Sequence, residues 1–139
     1  MAPLDKNIIK RKTELIESDL ERLKEVKAMS LSEFLDDSIL IAATERWLQR
    51  IAGRLIDINY HILKEDVGVS PKDYYDSFEL MQKNSFVEKD VSENVAPITG
   101  LRNRLAHEYD EIDNQLLYES VHSTLQFVPK YLLQLTSIL

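Results

Sequence analysis

From Leu48 to Ile62 the apolar residues Leu48, Ile51, Leu55, Ile58 and Ile62 follow one another at steps of three and four, with Trp47 beside them. A strand would scatter these side chains over both faces, whereas a helix gathers them on one broad side. The surrounding run predicts the longest helix of the chain, starting near Leu35 to Ser38 and ending at about Lys64. Ser32, Glu33, Asp36 and Asp37 supply the acceptors and negative charge that suit its start. A helix of this length needs long neighbours to cover its apolar side.

The rest of the chain offers them. Ile8, Ile9, Leu15, Ile16, Leu20 and Leu23 recur at helical steps among alternating charges, predicting a first amphipathic helix from about Leu4 to Val26. Val67-Gly68-Val69-Ser70-Pro71 reads as a turn, with Ser70 as cap and Pro71 as first residue of a short helix to about Gln82. Lys83-Asn84-Ser85 interrupts it. A further helix is expected to begin between Glu88 and Asn94 and to reach about Ala106, with Pro97 in its first turn or at a kink. Leu116, Leu117, Val121, Leu125, Val128 and Leu132 carry the last helix, which Pro129 can bend. With only three Gly and four Pro in 139 residues there is little to break such helices, and no linker or repeat divides them. The expected fold is therefore all-α: one domain over 1–139, an antiparallel up-and-down bundle of four main helices plus a short extra helix.

The formal net charge is −7, so nucleic acid cannot be held by a global positive field and any such site must be local. The spread of carboxylates along the helices reads as a solvated acidic surface, or as a face for a basic protein partner. The absence of cysteine removes disulfides, thiolate metal sites and thiol nucleophiles, and fits a cytoplasmic protein. The beginning of the chain lacks signal-peptide character, and no long apolar run predicts a membrane span. His61, His107 and His122 lie too far apart in sequence to suggest a metal site, and no cofactor is expected.

Two polar constellations stand out. In Leu101-Arg102-Asn103-Arg104-Leu105-Ala106-His107-Glu108-Tyr109, at about 100° per residue, Leu101 and Leu105 join Ile98 on an apolar face. Asn103 and His107 lie together on the polar side, while Arg102 falls beside the apolar face, where a guanidinium is costly without an anion, a cleft or a partner chain. An arginine fork can hold a phosphodiester while charge builds on it, and a histidine can move the proton of a ribose 2′-hydroxyl or of the leaving oxygen. Asn103 can orient the ring or the phosphate. Taken as a bare pair, however, Arg102 and His107 could equally be a surface charge and a helix-terminal histidine. Arg104 points away from both and suits RNA binding or an acid partner.

The second constellation is Arg46, Arg50, Arg54, Asp57 and His61, which share an arc of about 80° on the long helix, opposite the core. The stripe is expected to be exposed, either as ordinary solvated surface or as a groove wall in which Arg46, Arg50 and Arg54 follow RNA phosphates. Asp57 and His61 read equally well as a simple pair at helical spacing.

Arg102-Asn103, His107 and Tyr109 are similar, position by position, to the signature of the HepT-like toxins of the HEPN superfamily. The resemblance extends to Asp110-Glu111-Ile112-Asp113, to Asp57 and His61 on the long helix, and to the helical order. It implies a metal-independent endoribonuclease, the toxin of a type II or VII-like toxin–antitoxin pair, cutting transfer or messenger RNA. It also implies a homodimer in which two motif helices form one composite cleft, with Arg102, His107 and Asn103 as the catalytic group. The implied partner is a minimal nucleotidyltransferase antitoxin that in some systems transfers AMP to the motif tyrosine, here Tyr109. The alternative is a catalytically inactive helical module that docks and positions a nucleotidyltransferase.

Overall fold

The computed structural model describes residues 4–100 and 114–138, and every regular element among them is helical. Helix α1 spans Lys6–Lys27, started by the Asp5 carboxylate, which accepts from the amides of Asn7 and Ile8 at 3.0 and 3.2 Å. Helix α2, Leu31–Leu35, is a separate short turn closed by a capping box. The Ser30 hydroxyl accepts from the Glu33 amide while the Glu33 carboxylate accepts from the Ser30 amide, both at 3.1 Å. Those hydrogen bonds from Ser30, backbone first, hold the Glu33 carboxyl below its ordinary range. Ser32, expected to help start the long helix, lies inside α2. Asp37 caps that helix instead, accepting from the Leu40 amide at 3.0 Å.

Helix α3, Ser38–Ile62, is the longest, as its apolar spacing predicts. It widens into a π-turn, Leu63–Val67, which ends at Gly68, a residue whose φ of 79° suits glycine. Helix α4, Tyr74–Lys83, begins later than Ser70 and Pro71 predict. Its cap is Asp73, which accepts from the Asp76 amide at 2.7 Å, while the Asp76 carboxylate accepts from Lys72 at the same distance. Two carboxylates capping amides at the first turn outcompete a lone serine upstream. Helix α5, Lys89–Val95, breaks at Ala96, and residues 97–100 are helical again, so Pro97 opens a new segment. Helix α6, Asn114–Leu135, carries Pro129 within it and ends in a short 3-10 turn, Thr136–Ile138.

Paired residues fix the directions. Asp5 meets His61, Lys12 meets Asp57 and Asp19 meets Arg54, so α1 runs antiparallel to α3. Tyr118 reaches Met29 and Tyr131 reaches Asn59, so α6 runs along α3 and against α1. This is the up-and-down bundle expected. Leu48, Ile51, Leu55, Ile58 and Ile62 are buried at its centre with Phe34, Phe78 and Tyr131, while Trp47 is only partly buried. Among the described residues no helix is long and apolar enough to cross a membrane, and no group of three metal-ligating side chains gathers.

Candidate functional site

The approach to the motif is described even though Arg102, Asn103, Arg104, His107 and Tyr109 lie outside the described residues. Ile98 and Thr99 are buried, and the Thr99 hydroxyl donates to the Ala96 carbonyl at 2.8 Å. At Gly100, the last described residue before the motif, a Cβ would land on the Tyr75 hydroxyl of α4. Two buried side chains and one close contact thus set where the chain enters the 101–109 stretch. Nothing in the helical periodicity marks Tyr75, because its half-exposed ring sits at the edge of α4. Only a glycine within a helical pattern hints at such a close approach.

The arginine stripe sits differently from its expected exposure. Arg46 is exposed, but Arg50 and Arg54 are half-buried and turn towards α1. There Asp19 receives both: Arg54 Nη1 lies 2.9 Å from Oδ2 and Arg50 Nη2 lies 3.2 Å from Oδ1. The Asp19 side chain is only 4% exposed, so the carboxylate is desolvated and two guanidiniums compensate it. Further along, Lys12 Nζ meets Asp57 at 3.2 Å, and the Asp5 amide donates to His61 Nε2 at 3.0 Å. Asp57 and His61 therefore each face α1 and do not pair with one another. The arc placed the five residues on one side of α3 correctly, but α1 packs along one edge of that side. Asp19 was missed, although it lies in the spacing of Ile16, Leu20, Leu23 and Val26, where a carboxylate is out of place unless paired.

A second buried polar group ties α3, α4 and α6 together. The Tyr131 hydroxyl donates to Asn59 Oδ1, Asn59 Nδ2 donates to the Ser77 hydroxyl at 3.2 Å, and that hydroxyl donates to the Tyr74 carbonyl at 2.7 Å. Burial holds the Tyr131 phenol well above its ordinary range, against the smaller opposing effect of its Asn59 bond, so it is a fixed neutral donor.

With this geometry, the chain matches the family described as Ribonuclease HepT-like over residues 16–135, a span that includes 101–109. It belongs to the HepT-like ribonucleases. It is similar to the "tRNA nuclease HepT" of Aphanizomenon flos-aquae, with 34% identity over 139 residues, covering 100% of this chain and 95% of that protein. It is also similar to the "mRNA nuclease HepT" of Shewanella oneidensis, with 29% identity over 120 residues, 86% of this chain and 90% of the relative. Among solved structures it resembles the tri-AMPylated Shewanella oneidensis HEPN toxin in complex with MNT antitoxin. The TM-score is 0.86 at 26% identity, covering 96% of this chain and 99% of that one. As a HepT-like ribonuclease, the chain is a helical bundle in which Ile98 and Thr99 are buried just before residues 101–109 and the Asp19 cluster lies between α1 and α3.

Proposed function

We propose that this chain is the toxin of a toxin–antitoxin pair, a metal-independent endoribonuclease cutting transfer or messenger RNA. The observation that supports this reading is the string Arg102-Asn103, His107 and Tyr109 inside a chain that matches the HepT-like ribonucleases over residues 16–135. In the proposed reaction His107 takes the proton of a ribose 2′-hydroxyl, whose oxygen attacks the adjacent phosphorus. The bond to the 5′-oxygen breaks, and that oxygen takes up a proton from the protonated His107, which is thereby restored. The products are a 2′,3′-cyclic phosphate and a 5′-hydroxyl. Arg102 holds the phosphate as charge builds on it, and Asn103 orients the ring or the phosphate.

The site is completed, in this reading, by a second copy of the chain, which gives Arg102 the composite cleft that its place beside the apolar face requires. Arg46, Arg50, Arg54 and Arg104 hold the RNA. Asp19 uses one edge of the Arg50 and Arg54 forks, and each guanidinium has five donors, so donors and one net positive charge remain for phosphate. The partner is a minimal nucleotidyltransferase antitoxin, which silences the toxin by transferring AMP to Tyr109. A bulky anion there occupies the space and positive charge that an RNA phosphate needs.

The deciding experiment compares induced expression of wild type, Arg102→Ala and His107→Ala, with cellular RNA examined for fragments. Growth arrest and fragments ending in cyclic phosphate are expected from wild type alone, and they should survive a chelator. Equal cutting by His107→Ala would remove the assignment. A chain that forms the complex yet cuts no RNA would be the inactive docking module instead. Mass spectrometry after incubation with the nucleotidyltransferase and ATP should place adenylyl mass on Tyr109, absent in Tyr109→Phe.

A further inference from the structure

Gly53 stands in the middle of α3, where glycine is a poorer helix former than alanine, and apart from its chain neighbours and the backbone of its own helix no described atom lies within 4 Å of the place its Cβ would take. No close neighbour among the described residues explains why a side chain is missing there. Around it is a hollow of about 380 Å³, lined by Gly53, Ile56, Asp57, Tyr60 and Tyr74. The hollow lies between α1, which takes the Arg50, Arg54 and Asp57 side of α3, and α4, which takes the Tyr60 side.

The two ends of this trough differ in chemistry. Towards the start of α3 stand the exposed Arg46 and the half-exposed Arg50, which give a local positive patch on an acidic chain. Towards the other end Tyr60 and Tyr74 form an edge-to-face pair with ring centroids 6.3 Å apart, and Tyr74 is 40% exposed. Carboxylates surround that aromatic end: Asp57, which is met by Lys12, and Asp73 and Asp76 of the α4 start. Burial first, then Tyr74 and these two aspartates, hold the Tyr60 phenol above its ordinary range, so it stays neutral. A phosphate is repelled from this end, whereas a neutral flat ring is accepted. Arg50 and Tyr60 are ten residues apart on the helix, about 15 Å along its axis, a span that suits a short stretch of single strand.

We propose that the trough floored by Gly53 is a single-stranded RNA subsite, with backbone phosphate on Arg46 and Arg50 and an unstacked base laid over Gly53 against Tyr74 and Tyr60. It rests on the ribonuclease reading and adds to it a place where the substrate is gripped away from the motif. Single-strand binders combine a cationic track with aromatic platforms in this way.

The test measures binding to 2′-O-methyl oligoadenylate, which cannot be cut because its attacking hydroxyl is blocked, and to the same backbone with abasic positions. Wild type is expected to hold the base-bearing strand at least about fivefold more tightly, the lower end of what stacking one base contributes. Tyr74→Ala should lose that preference and Tyr74→Phe, which keeps the ring, should retain it. Gly53→Leu should lose it too, with no fall in thermal midpoint because the floor is open. Equal preference in wild type, Tyr74→Ala and Gly53→Leu would overturn the subsite while leaving cleavage by Arg102 and His107 standing. A change in assembly mass for Gly53→Leu with RNA binding intact would assign the trough to a second copy and also overturn it. If wild type bound neither strand and cut no RNA, both readings would fall.

Discussion

Arg54 of α3 donates to Asp19 of α1 at 2.9 Å across the contact between these two helices, and the carboxylate it meets is buried. Removing the carboxylate leaves two guanidiniums facing a cavity, while removing Arg54 leaves a buried anion with a single partner. Asp19→Ala and Arg54→Ala are each expected to cost about 2 kcal/mol, as for hydrogen bonds to buried charges. Arg50→Ala should cost less, because its side chain is 37% exposed and easily rehydrated. Urea midpoints measured at constant m-value give the order. Equal losses at Arg50 and Arg54 would show that burial does not set the strength of this pair.

The Tyr131 phenol is wholly buried and donates to Asn59 Oδ1. Tyr131→Phe keeps the ring against Phe78, whose centroid lies 5.7 Å away, but leaves the Asn59 oxygen without that donor. A loss of about 1–3 kcal/mol is expected, the cost of an unsatisfied buried acceptor. The fold should survive, because the apolar packing is unchanged, and calorimetry should show one transition at a lower midpoint.

These two clusters also mark how far the sequence could be read. Leu48, Ile51, Leu55, Ile58 and Ile62 declare the core because periodicity reports which side of a helix is buried. It does not report which neighbour takes the flanks, so Arg50 and Arg54 were expected in solvent when α1 covers their edge. Among the described residues helix ends were legible to within a few residues, but the deciding caps, the Ser30 and Glu33 box and the Asp73 and Asp76 carboxylates on the amides of Asp76 and Lys72, depend on all members folding together. Tyr131 and Asn59 escaped notice because a polar residue in an apolar stripe has meaning only once its partner from a distant helix is in place. The Arg102 to Tyr109 string lies outside the described residues, and the contact between Tyr75 and Gly100 just before it was not legible, since one residue lies on α4 and the other beyond α5.

Glu45 supplies a pH dependence with a definite sign. Burial raises its carboxyl above the ordinary value of 4.5, so the folded chain binds that proton more readily than the unfolded one. The stabilisation from this group is complete below the unfolded value and is lost as pH rises through the higher folded value. At neutral pH the charged Glu45 therefore weakens the fold. Glu45→Gln is expected to be more stable than wild type at pH 7 and to lose that advantage near pH 4. Chemical denaturation at the two pH values measures this, and an advantage that grew in acid would contradict the burial effect.

Gly100 and Tyr75 offer the sharpest link between packing and cleavage. A Cβ at position 100 would occupy the place of the Tyr75 hydroxyl, but would stand at an ordinary 3.5 Å from the ring carbon that bears it. Gly100→Ala must therefore push either the half-exposed tyrosine ring outwards or the chain leading into the motif inwards. Because Ile98 and Thr99 are buried on the same turn, part of the strain passes to the residues that follow. The expected cost is about 1 kcal/mol, the low end for overpacking, with a several-fold fall in RNA cleavage. Tyr75→Phe removes only the clashing oxygen, so the double variant Gly100→Ala, Tyr75→Phe should regain both stability and cleavage, with Tyr75→Phe alone near wild type. Coupled recovery in the double variant ties the rate to this contact. If stability returned and cleavage did not, Gly100 would serve the motif by a route that does not pass through Tyr75.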